Sequence, residues 1–177
     1  MKEFKARKWQ NEAIKRSGND ESGGIFLEAA GGRGKTLCAL EIAKQKKAKK
    51  VIIVNNRVSI LGGWEKSYKE FGYDDCFELV ALTDKKLSNL VKDGSKLTCD
   101  VLILDEWQNI SSKNCVSAYK KVKRNYTIGL SATPIRKKGQ NFYPLEKKGR
   151  TSIHSRKHCG KKQTRTENLI GNWLTGK

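Results

Sequence analysis

Glu28-Ala29-Ala30-Gly31-Gly32-Arg33-Gly34-Lys35-Thr36 stands between two runs of different periodicity. Before it, Gly24-Ile25-Phe26-Leu27 is short, apolar and strand-like. After it, Leu37-Cys38-Ala39-Leu40-Glu41-Ile42-Ala43-Lys44 places apolar residues at helical spacing. A strand, a glycine-rich turn and a helix opening on Gly-Lys-Thr make a phosphate-binding loop. Gly31, Gly32 and Gly34 let successive backbone N–H groups, that of Arg33 included, turn inward on an anion without a Cβ clash. The helix N-terminus adds its positive dipole end. In such a loop Lys35 is expected to reach the β- and γ-phosphates, and the Thr36 hydroxyl to ligate Mg²⁺. The general pattern departs at one place: Ala29 stands where it asks for Gly.

A second motif lies downstream. Val101-Leu102-Ile103-Leu104 reads as a buried central strand, and Asp105-Glu106 follows at its C-terminal end. Ligands of open α/β sheets bind at that edge. Asp105 is expected to hold Mg²⁺ through water, and Glu106 to orient and deprotonate an attacking water. Between the two motifs, Val51-Ile52-Ile53-Val54 and Phe77-Glu78-Leu79-Val80-Ala81-Leu82 read as further strands. Asp84 to Val91 reads as a helix stopped by Asp93-Gly94-Ser95. After Glu106 come a helix around Asn114 to Lys123 and a fifth strand, Tyr126 to Leu130.

Composition narrows the partner. The chain has 177 residues, net charge +19 and a pI near 9.8. Such an excess points to a polyanion, most simply nucleic acid. No apolar run is long enough to span a membrane, and the N-terminal Met1-Lys2-Glu3-Phe4-Lys5 leads into polar sequence; a cytoplasmic protein without membrane contact is expected. Cys38, Cys76, Cys99, Cys115 and Cys159 are scattered and never in Cys-x-x-Cys spacing, so neither a disulfide framework nor a zinc site is indicated. His154, His158 and Cys159 cluster, but without a partner pair they make a poor zinc site.

Taken in order, Arg7-Lys8-Trp9-Gln10, the Gly-Lys-Thr loop, Asp105-Glu106-Trp107-Gln108 and Ser131-Ala132-Thr133 resemble the first RecA-like lobe of a superfamily-two helicase or translocase, over about residues 4–137. Ala at position 29 is the helicase form of the loop. The closest local likeness is to Swi/Snf-type double-stranded DNA translocases, carried by Val51 to Phe71, Asp105 to Ser112 and Leu130 to Arg136. The resemblance implies an α/β fold, a P-loop NTPase lobe of RecA-like type with a parallel sheet flanked by helices. It implies ATP and Mg²⁺ as cofactors. Arg7 and Gln10 would read the adenine, a role that suits an amide able to donate and accept at once. Lys35, Glu106 and Gln108 would be catalytic, Gln108 taking the place where many relatives carry His. Arg57, Gly62, Gly63, Thr83 and Thr133 would meet the nucleic-acid backbone, while Ser131 and Thr133 would couple the carboxylate site to that track. Trp64, in the same segment as Arg57, reads as core.

Relatives carry a second RecA-like lobe that supplies arginine fingers, typically worth on the order of 10³–10⁵ in rate. No second set of strands and helices is legible after Arg136, so this chain is expected to bind ATP–Mg²⁺ and hydrolyse it slowly, a second lobe acting in trans. The other reading is a non-catalytic module that binds DNA and ATP. Residues 1–137 are expected to form the lobe, and 138–177 a basic tail, flexible or helical around Glu167 to Leu174, foreign to the fold if the parent reading frame is interrupted there.

Overall fold

The computed structural model describes residues 2–109, 113–132 and 151–154. Helix α1 (Lys8–Gly18) is followed by strand β1 (Gly24–Glu28), helix α2 (Lys35–Gln45), β2 (Lys50–Asn55), α3 (Val58–Glu70), β3 (Glu78–Thr83), α4 (Asp84–Lys92) and β4 (Thr98–Asp105). A single 3₁₀ turn (Trp107–Asn109), α5 (Lys113–Lys121), β5 (Lys123–Ser131) and β6 (Thr151–His154) complete the order. The strands form one sheet in the order β3-β2-β4-β5-β1-β6, every pair parallel. The α/β class and the helix-flanked parallel sheet that the resemblance implies are both present.

The strands read as unbroken apolar runs because both faces of the sheet are covered. Alternation then sorts the side chains. Ile25, Leu27, Val51, Ile53, Val101, Ile103, Ile128 and Leu130 point to one core, with Cys38, Leu40 and Ile42 of α2 and Trp64 of α3. Phe26, Ile52, Val54, Leu102 and Leu104 point to the other, with Leu87 of α4 and Ala118 and Tyr119 of α5. Thus α2, buried along most of its length, lies on one face, and α4 and α5 lie on the other.

Gly129 faces the second core. A Cβ there would come within 2.3 Å of the Phe26 ring and 3.4 Å of Trp107. Phe26 and Trp107 have ring centroids 5.4 Å apart, so the glycine makes room for the aromatic pair that anchors the turn after β4. Gly129→Ala is therefore expected to destabilise the fold by about 1–3 kcal/mol through overpacking, seen as a lower denaturant midpoint.

Some boundaries shift. The third strand runs Glu78–Thr83 rather than 77–82, because Phe77 closes the preceding turn, its N–H donating to the Tyr73 carbonyl at 3.2 Å. Helix α1 starts at Lys8, with Arg7 as its N-cap. Within the stretch expected to be a basic tail, Thr151–His154 forms β6 beside β1, in register from Ile25↔Thr151 to Glu28↔His154. Thr151-Ser152-Ile153-His154 carries a single apolar residue, too little for alternation to reveal a strand in sequence. The helix expected around 167–174, the residues Thr133, His158 and Cys159, and the proposed boundary at 137/138 lie outside the described residues. No helix among the described residues is long and apolar enough to cross a membrane.

Candidate active site

Strand register assembles the site. Glu28 at the end of β1 pairs with Ser131 at the end of β5, and Leu130 pairs with Asp105 at the end of β4. The glycine-rich loop, Ser131-Ala132 and Asp105-Glu106 therefore leave one edge of the sheet from three adjacent strands. That is the carboxyl edge, where α/β sheets bind ligands. The contact is direct at one point: the Ala29 N–H donates to the Ser131 carbonyl at 3.0 Å. Ser131 itself is buried.

The loop from Ala30 to Gly34 turns through two glycines in the left-handed region, Gly32 at φ 70° and Gly34 at φ 84°. Gly34 is the N-cap of α2 and offers no side chain to the helix start. The first N–H groups of an eleven-residue buried helix are thus left for an external acceptor. Gly31, Gly32 and Arg33 are exposed, and Lys35 and Thr36 are half-buried. The Lys35 ammonium lies over the loop, donating to the Ala29 carbonyl at 2.7 Å and less closely to that of Ala30 at 3.4 Å.

Gln10 braces this loop from below. Its Nε2 donates to the Gly34 carbonyl at 2.9 Å, and its Oε1 accepts the Arg7 N–H at 2.7 Å. Gln10 is buried and Arg7 exposed, so the expected adenine reader is also a strut between α1 and the loop. A Cβ on Gly34 would sit 2.8 Å from Gln10 Nε2. Gly34→Ala is expected to lower both the melting temperature and nucleotide affinity. The left-handed backbone alone costs about 1–2 kcal/mol, and adding Gln10→Ala should recover only the steric part in a double-mutant cycle.

Asp105 is buried at the end of β4. Its Oδ2 accepts from Trp64 Nε1 at 2.9 Å and from Asn55 Nδ2 at 3.1 Å, while its Oδ1 accepts the Glu106 N–H at 3.0 Å. Burial raises its pKa, the Trp64 hydrogen bond opposes this, the Glu106 charge raises it further, and Asn55 and the nearby Lys35 charge pull it down. The net shift is upward. A folded pKa above the unfolded one means that the native state holds the proton longer. Stability contributed by protonated Asp105 is therefore present at low pH and lost as pH rises from about 4, the unfolded value, through the folded pKa. Comparing the wild type with Asp105→Asn by thermal melts should show the wild type at its greatest relative advantage in acid, with the gap falling as pH rises to neutral.

Glu106 adopts φ 51°, a left-handed conformation unusual for a glutamate. Its carbonyl accepts the Asn109 N–H at 2.8 Å, closing the turn that carries Trp107 and Gln108. Gln108 lies within this turn, but its side chain is outside the described residues.

The expected nucleic-acid contacts fall mostly on one neighbouring region. Arg57 is the exposed N-cap of α3, and its N–H donates to Asn55 Oδ1 at 2.8 Å. Gly62 and Gly63 lie exposed on α3, with open space where a Cβ would be. Thr83 is half-buried and caps α4, its Oγ1 accepting the Lys86 N–H at 3.2 Å, which gives it a structural task of its own.

Nothing in the sequence singles out Asn55 for the site, and Trp64 reads there as core. Trp64 is core and also holds Asp105. An Asn two residues ahead of a helix N-cap is an Asx-turn signal that marks Asn55 as a turn former, but it says nothing of Asp105, fifty residues on.

The site's donor set suits Mg²⁺ with a nucleotide triphosphate. The hydroxyl of Thr36 and the carboxylates of Asp105 and Glu106 are hard oxygen ligands, and they share the edge with a lysine and uncapped helix N–H groups. Among the described residues no cluster of His, Cys, Asp and Glu could hold a metal by protein ligands alone.

Comparison with known proteins gives two matches of different kinds. The family model described as "Type III restriction enzyme, res subunit" matches residues 3–93, just over half of the chain. Among solved structures, the Pyrococcus furiosus Hef helicase domain superposes with a TM-score of 0.67 at 16% identity, over 86% of this chain and 39% of that one. At that identity the likeness speaks for the fold alone, a helicase RecA-like lobe, and the chain spans well under two thirds of that helicase domain chain. No curated protein matches the chain.

Proposed function

This chain belongs to the family of the type III restriction enzyme res subunit, and from that membership together with the site we propose that it is the ATP-binding lobe of an ATP-dependent DNA helicase or translocase. The observation that carries the reading is the register of β1, β5 and β4, which brings a phosphate loop and a carboxylate pair to one sheet edge.

Each residue has a part in this reading. The N–H groups of Gly31 to Gly34 and of the α2 terminus would cradle the phosphates. Lys35 would leave the Ala29 carbonyl for the terminal phosphates, a stronger, charge-assisted partner. Thr36 and, through water, Asp105 would hold Mg²⁺, which when bound screens the charge of the phosphates. Glu106 would orient a water and take its proton, and Gln108 would carry a hydrogen bond onward to Ser131 and Thr133. Gln10 and Arg7 would face the adenine. Hydrolysis is proposed to be slow for this lobe alone, because the charge-stabilising arginines come from a second lobe in trans.

Arg57, Gly62 and Gly63, and beyond them Thr83 and Thr133, are the proposed track for a nucleic-acid backbone. Contact would be to phosphates, weak in sequence preference and steeply salt-dependent. The net charge of +19 and the likeness of the Val51–Phe71 segment to Swi/Snf-type translocases support a double-stranded DNA track.

The test is the ATPase rate with and without duplex DNA, beside Lys35→Ala. DNA-stimulated turnover that disappears in the variant is the expected result for a working motor. Nucleotide binding without turnover would instead favour a binding module that relies on another chain. No binding of ATP–Mg²⁺ at all would sink the proposal.

A further inference from the structure

The candidate metal carboxylate is held from an unexpected side. Asp105 Oδ2 accepts two hydrogen bonds, from the Trp64 indole at 2.9 Å and the Asn55 amide at 3.1 Å. Two donors saturate the lone pairs of one carboxylate oxygen. The other oxygen, Oδ1, takes only the adjacent Glu106 N–H at 3.0 Å among the hydrogen bonds described. All three side chains are buried, Trp64 and Asn55 at 1% exposure each.

Neither donor is free to swing away. Indole nitrogen can only donate, and the ring is packed in the core between α3 and the sheet. The amide of Asn55 could face either way, but its Oδ1 already accepts the Arg57 N–H at 2.8 Å. That bond sets the flip, so Nδ2 must face Asp105. Both donors also favour the ionised form of a carboxylate that burial disfavours.

We propose that Trp64 and Asn55 are positioning residues that clamp Oδ2 of Asp105 and thereby aim its Oδ1 at the Mg²⁺ site. The proposal rests on the ATP–Mg²⁺ reading above. It gives α3 a second role: the helix whose N-cap carries the exposed Arg57 is bonded to the metal carboxylate twice, through Trp64 and through the Arg57–Asn55 turn.

The test uses the full chain, a fluorescent ATP analogue and a Mg²⁺ titration, with affinity in excess EDTA measured alongside. Trp64→Phe removes the donor and keeps an aromatic ring; Asn55→Ser shortens the other arm. Each is expected to raise the half-saturating Mg²⁺ concentration by about 10-fold or more, as loss of an outer-shell partner does. Affinity in EDTA, which rests on the Lys35 loop, should stay within about twofold. A merely structural role would lower both together, and that outcome overturns the clamp. So does a Mg²⁺ requirement unchanged in both variants. If wild type fails to bind the analogue under either condition, the nucleotide reading itself has failed, and the clamp falls with it. A measurement on the unaltered protein guards against a variant that does not fold. The Trp64 indole N–H resonance should shift when Mg²⁺ is added to the nucleotide-bound protein, and an unmoved resonance counts against the proposal.

Discussion

Glu106→Gln should leave nucleotide affinity close to that of the wild type and cut turnover by about 10²–10⁴-fold, the usual contribution of a positioned general base. The substitution keeps the length of the side chain and removes only its charge and basicity. In the reading proposed above Glu106 is the base of the pair, and its backbone holds it in an unusual conformation. Its φ of 51° is a conformation non-glycine residues adopt at a cost of roughly 1–3 kcal/mol, and such strain persists where surrounding structure over-determines it. Here the neighbours are specific: its N–H is bound to Asp105 Oδ1 at 3.0 Å and its carbonyl to the Asn109 N–H at 2.8 Å. Asp105, with one oxygen bonded to Trp64 and Asn55, is fixed in place, as the cation-holding role proposed for it requires. Single-turnover hydrolysis with saturating ATP–Mg²⁺ separates the roles. Turnover that survives in Glu106→Gln would move the base to another residue.

Lys35→Ala should weaken ATP–Mg²⁺ binding and turnover together, by about 10²–10³-fold where a charged clamp on a phosphoryl group is removed. The side chain is already turned onto the loop, 2.7 Å from the Ala29 carbonyl, so little reorganisation separates it from a bound phosphate. In the nucleotide-free protein its loss removes the hydrogen bonds of a half-buried cation to the Ala29 and Ala30 carbonyls, and the melting temperature should change little. A large drop in melting temperature would mean that the lysine holds the loop together rather than the ligand. Lys35→Arg should not rescue binding, since a planar guanidinium does not replace a point charge in a loop built around an ammonium.

The loop and the carboxylate pair were legible in sequence because each is contiguous. A strand, a glycine turn and a helix start obey local rules, and glycine at 32 and 34 is demanded by positive φ within the turn itself. The strands around them were legible too, because a parallel sheet covered on both faces requires unbroken apolar runs. Gln10 could be placed ahead of the loop by resemblance, and its chemistry named, without showing that its amide spans to the Gly34 carbonyl, twenty-four positions away.

Tertiary structure decided what distance in sequence conceals. Periodicity reports which face of an element is apolar, not which strand lies beside which. The insertion of β5 between β1 and β4, which sets Ser131 against the loop, follows only from the assembled sheet. The same holds for the space Gly129 leaves to Phe26, where the contact crosses strands a hundred residues apart. It holds most of all for Trp64. Its apolar body predicted burial, correctly. What the indole N–H would bond to depended on packing α3 against the end of β4, and that packing made a core residue the holder of Asp105.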